Sequence, residues 1–114
     1  MKYLCLIYQD ESAAENLPKA EFEQIRGEYL AFHDELKKSG RLLGNNGLQS
    51  SPAATTVRVR EGKVTTTDGP FAETKEQLGG YFLVEARDLN EAIQIAAKIP
   101  SARFGSVEVR PVRV

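Results

Sequence analysis

The sequence predicts an α+β domain, and three observations carry that expectation. Residues 2 to 8 and 81 to 86 have strand character and are apolar on both faces where they are strongest. Between Pro18 and Ser39 the apolar residues Phe22, Ile25, Tyr29, Phe32 and Leu36 recur at spacings of three and four, which is one face of a helix. After Asp88 a shorter helical stripe runs to Pro100 and a last strand follows over 106 to 112. The resulting order is strand and helix, strands with a hairpin, then strand, helix and strand, two βαβ-like halves of a split unit.

The first strand places Tyr3, Cys5 and Ile7 on one face and Leu4, Leu6 and Tyr8 on the other, so it is expected to be central and covered on both sides. Gln9 to Leu17 is polar and reads as a loop, and Pro18 suits the opening turn of the long helix. Within that helix Gly27 costs about 1 kcal/mol relative to Ala, which the amphipathic pattern outweighs. Lys37 and Lys38 complement the negative end of its dipole and Gly40 is a natural stop. Arg41 to Gly44 opens a second strand, with Asn45-Asn46-Gly47 set to turn or bulge it. Residues 55 to 60 and 63 to 67 form a peripheral hairpin around Glu61-Gly62. Asp68 to Gly80 is a charged loop broken by Gly69 and Pro70. Asp88 with Glu91 reads as an Asp variant of the capping box, ahead of a buried stripe of Leu89, Ala92, Ile93 and Ala96.

The loop Asp68-Gly69-Pro70-Phe71-Ala72-Glu73-Thr74-Lys75-Glu76, continuing through Gly79-Gly80-Tyr81-Phe82, resembles the signature of the DGPF branch of the YCII-related proteins. The opening strand, Thr55 to Arg58 and Gly105 to Pro111 are similar to that branch as well, so the likeness spans nearly the whole chain. What the resemblance implies is a ferredoxin-like βαββαβ domain over 1–114, with an additional β-hairpin, that pairs with a second copy as a dimeric α/β barrel. It also implies a regulatory context as an alternative to ligand chemistry, since such proteins often accompany extracytoplasmic-function sigma factors.

Composition narrows the function. A chain of 114 residues buries roughly two thirds of its unfolded surface, enough for a core. With 15 basic and 16 acidic residues, bulk charge gives no reason to expect nucleic acid. The lone cysteine, Cys5, reads as a small buried hydrophobe in a reducing compartment. The apolar run after Met1-Lys2 is too short to span a membrane and lacks a small-residue cleavage site, so the expected address is cytoplasmic. One His and one Cys make a zinc site improbable, and neither a nucleophile elbow, a P-loop nor a dinucleotide fingerprint is present. No metal or cofactor is expected.

The chemistry is expected in a cleft beside the Asp68 loop. Asp68 is the candidate base or polar anchor there; the alternative is that an Asp before Gly-Pro closes a turn. Gly69, Pro70, Phe71, Glu73, Lys75 and Tyr81 are candidate ligand-binding positions. His33 falls about 60° from the centre of the long helix's buried stripe. The resemblance implies a pairing of a helical His with an Asp, whereas for the residue by itself a boundary histidine hydrogen-bonded to backbone or solvent is the commoner case. The reading is a homodimer binding a small organic ligand, or else a noncatalytic interaction module.

Overall fold

The computed structural model describes residues 1–114. Its elements are β1 (Lys2–Gln9), α1 (Glu11–Glu15), α2 (Lys19–Lys38), β2 (Leu42–Gly47), β3 (Thr55–Arg60), β4 (Lys63–Asp68), β5 (Gln77–Glu85), α3 (Leu89–Ala97) and β6 (Ser106–Pro111), with short 3-10 turns at Ser51–Ala53 and Pro100–Arg103. Four strands form an antiparallel sheet in the order β2-β5-β1-β6. With α2 and α3 as the two crossovers this is the ferredoxin-like βαββαβ arrangement, and the β3-β4 hairpin is inserted between its second and third sheet strands.

The two strands that are apolar on both faces are the two central ones, as their composition requires. Tyr3, Cys5 and Ile7 of β1 and Phe82 and Val84 of β5 join Phe32 and Leu36 of α2, Ala92 and Ala96 of α3, and Ile99 in one core. Phe82 is its aromatic hinge, edge-on to Phe32 at 5.1 Å between ring centroids and stacked on Tyr29 at 6.5 Å. Burial pushes the Cys5 thiol up to about 11, which fits a packing residue. On the other side of the sheet Leu4, Leu6, Tyr8, Tyr81 and Leu83 are half-buried. Both long helices pack on the opposite face, so this chain supplies no helical cover there.

Several local expectations are revised. Residues 11 to 15 form a helical turn because the Asp10 carboxylate accepts from the Ser12 and Ala13 amides and the Ser12 hydroxyl. The long loop ends earlier than Gly80, since β5 begins at Gln77 and carries both glycines within the strand. In α3 the buried stripe is Glu91, Ala92 and Ala96 with Ile95 half-buried, while Leu89 and Ile93 lie in solvent. The Asp88 cap accepts from the Glu91 amide at 2.9 Å. Glu91 does not close the box on Asp88; its carboxylate takes the Arg87 amide and the guanidinium groups of Arg41 and Arg87. Those hydrogen bonds, the Arg87 amide first, hold its carboxyl below the usual carboxylate range. Gly40 ends α2 with φ 75, as a left-handed stop should.

Candidate functional site

The largest cavity, about 350 Å³, opens between the first half of α2 and the sheet. Its origin is local. Gly80 shares the helix-facing row of β5 with Phe82 and Val84 but carries no side chain, so the space above it stays empty. A Cβ at Gly80 would meet the Asn46 carbonyl oxygen at 2.8 Å, so glycine is also what lets the β2 and β5 backbones approach this closely. Beside it the β1-β5 register slips between Ile7 and Tyr8, leaving Gly79 as the extra residue of a bulge. Bulges of this kind are common where a sheet borders a functional site.

Ile7 and Phe82 form the apolar floor. Phe22, Ile25, Arg26 and Tyr29 descend from α2, Asn45 comes from β2, Ala14 and Leu17 close the α1 side, and Ser101 and Phe104 come from the segment after α3. Into this wall runs a chain of polar groups from three distant parts of the sequence. Ser101, almost wholly buried, donates to Gln9 Oε1 at 2.9 Å, and its Oγ lies 2.5 Å from the Tyr29 hydroxyl. Because the Ser101 proton is committed to Gln9, the Tyr29 hydroxyl is the donor in the second bond. Burial raises the Tyr29 pKa, with the Ser101 hydrogen bonds working in the opposite direction. An Arg103–Glu28 ion pair at 2.7 Å ties α2 to the same 3-10 turn and so helps hold Ser101 against Tyr29.

The residues singled out in the sequence lie mostly outside this cavity. Asp68 is the exposed last residue of β4, opposite Thr55. The turn after it is closed by the Gly69 amide on the Ala54 carbonyl at 2.7 Å and by the Thr56 hydroxyl on the Gly69 carbonyl. Gly69 has φ 95, a conformation that favours glycine. Pro70, Phe71, Glu73 and Lys75 are exposed, Phe71 by 80%. His33 is half-buried on α2, one position beyond the core residue Phe32, and lines neither this cavity nor the two smaller ones. Tyr81 borders the cavity only through its place in β5; its side chain lies on the open sheet face, where it donates to Asn46 Oδ1 at 2.9 Å.

The charged loop meets the site at one remove, through α1. Gln77 donates to the Thr74 carbonyl at 2.6 Å and accepts from the Glu11 amide at 3.0 Å. The Asp10 carboxyl is lowered chiefly by its bond from Ser12, with Lys75 of the loop adding a small attraction. The loop thus braces the short helix whose Ala14 faces the cavity. Gln9, Arg26 and Ser101 carried no motif; the visible signal was the glycine pair next to an aromatic strand. No group of three or more His, Cys, Asp or Glu side chains is placed to hold a metal ion, and no helix is long and apolar enough to cross a membrane.

Comparison with known proteins agrees with the architecture. An uncharacterized protein of Rhizobium meliloti is 38% identical over 114 residues, covering 98% of this chain and 92% of that protein. The structure of 5-chloro-2-hydroxyhydroquinone dehydrochlorinase (TftG) from Burkholderia phenoliruptrix AC1100, in complex with 2,5-dihydroxybenzoquinone, superposes with a TM-score of 0.60 over 99% of this chain and 94% of that one. At 12% identity that likeness establishes the shared fold. The YCII-related domain model matches residues 1–114, and the chain accordingly belongs to the YCII-related family.

Proposed function

We propose that the protein binds a small organic molecule in the cavity between α2 and the sheet. The observation that carries this reading is the combination of an apolar floor with the Tyr29–Ser101–Gln9 hydrogen-bond chain in one wall. Ligand sites are typically apolar concavities of roughly 300–1,000 Å³ with a few convergent polar groups, and about 350 Å³ admits a molecule of one ring. That a protein of the same fold was obtained with 2,5-dihydroxybenzoquinone is in keeping with a ligand of this size. Tyr29, whose pKa burial raises, keeps its proton and serves as a donor within the polar chain. The Asp68 loop is given a bracing role through α1. A thermal-shift screen of small organic molecules tests the reading, since a ligand of the native state raises stability by mass action. Hits should disturb Gly80 and Ser101 in an NMR map. A complete absence of hits, or hits that map only to other surfaces, would overturn it.

We also propose that two copies pair through the open sheet face, on the strength of the apolar side chains that the helices leave uncovered there and of a large total surface. A compact chain of 12.6 kDa exposes about 6,200 Å², whereas this one exposes 8190 Å². The excess, about 2,000 Å², comes in part from the exposed, self-paired β3-β4 hairpin and still leaves room for the roughly 800 Å² that each partner buries in a standard interface. The radius of gyration, 15.9 Å, likewise exceeds the roughly 13 Å expected of a compact domain of this length. Leu4, Leu6, Tyr81 and Leu83 give that face the apolar character a sheet-to-sheet contact needs. Light scattering coupled to size exclusion at micromolar concentration should return the mass of a dimer. A natively folded monomer would refute the pairing.

A further inference from the structure

Taking the cavity as the ligand site, we infer that its ligand is a small organic anion: a ring or branched apolar body carrying one carboxylate or similar oxyanion. Charge leads to this class. Arg26, at the mouth, is the one charged side chain lining the cavity, and no carboxylate lines it. Its guanidinium is 4.0 Å from the exposed Glu23 carboxylate, too far for a hydrogen bond, and is therefore available to a ligand. Asp10 lines the adjoining depression and is occupied in capping α1. The other arginine nearby, Arg103, is engaged by Glu28.

Hydrogen bonding leads to the same class. Gln9 Oε1 already accepts from Ser101, while the Gln9 amide nitrogen donates to no group of the chain, so that side chain offers a ligand a free donor. Asn45, in the β2 wall, adds a second amide. A cation and amide donors around an apolar floor of Ile7 and Phe82 suit acceptor oxygens on a hydrophobic body. An ammonium ligand would find no carboxylate in the cavity lining and would be repelled by Arg26.

Benzoate, benzamide and benzylamine share a ring and differ in charge, so they separate the ligand class from the site itself. Titrated into the wild-type protein at low ionic strength and followed by the backbone amide signals of Gly79, Gly80 and Ser101, benzoate should bind about tenfold more tightly than benzamide, as a charge-assisted bond to Arg26 implies. Benzylamine should be weakest. The preference for benzoate should shrink with added salt, because Arg26 is exposed. Arg26→Gln should abolish it and Arg26→Lys should keep most of it. Equal binding of benzamide or benzylamine, or a benzoate preference that survives Arg26→Gln, would overturn the anion assignment and leave the cavity as the site. If none of the three probes moves those signals, the cavity reading and this inference fail together.

Discussion

Removing the Ser101 hydroxyl tests whether the polar chain in the cavity wall acts as a unit. Ser101 is 1% exposed and serves both Tyr29 and Gln9, so Ser101→Ala deletes two hydrogen bonds at once. At about 0.5–1.5 kcal/mol net per bond the loss is roughly 1–3 kcal/mol. The lower half of that range is expected, because the stranded Tyr29 hydroxyl and Gln9 amide border a cavity that water can enter. Tyr29→Phe deletes only one of the two bonds and should cost about 1 kcal/mol. The two changes share a bond, so the double variant should fall short of the sum by about 0.5–1 kcal/mol. Urea unfolding at one fixed protein concentration measures all three variants, read as midpoint shifts at unchanged slope. Additivity to within about 0.3 kcal/mol would show that Tyr29 and Ser101 are uncoupled. The chain would then be an accident of proximity.

The two glycines of β5 should respond differently. Gly80→Ala is expected to destabilise by about 1–3 kcal/mol, because the new methyl meets the Asn46 carbonyl at 2.8 Å and β2 must shift. Gly79→Ala, whose Cβ would sit 4.0 Å from the Ile7 carbonyl oxygen, should stay within about 1 kcal/mol of wild type in the same unfolding assay. Glu91 has a folded-state pKa below its unfolded value, so its stabilising contribution is present above about pH 4.3 and is lost as pH falls through the folded value. Glu91→Gln should therefore be less stable at neutral pH, yet lose less stability than wild type on acidification, which a pH series of unfolding midpoints checks. Asp68→Asn should change stability by less than about 0.5 kcal/mol, since Asp68 is exposed and backbone groups and Thr56 close its turn. Ligand-induced thermal shifts should survive that change, and their loss would move the binding site to the loop.

Hydrophobic periodicity was sufficient to read the α+β class and its central strands from the chain alone, whereas the ferredoxin-like arrangement came from the family resemblance. Apolar residues on both faces of residues 3 to 8 and 81 to 84 required central strands, and β1 and β5 are the central strands. The stripe from Phe22 to Leu36 required a helix, and Asp88 and Gly40 marked a start and a stop that the structure keeps. These features rest on neighbours within a few residues, which is the range over which periodicity and capping act. The cavity lay beyond that range. Gln9, Tyr29 and Ser101 are 92 residues apart from first to last, and none belongs to a motif. They meet only because β6 pairs with β1, which brings the turn between α3 and β6 to the end of β1, and because that turn folds back over α2. The charged loop drew the eye for its chemistry, but burial, which turns a polar group into a site, is a property of tertiary packing, and packing left Asp68 in solvent and enclosed Ser101.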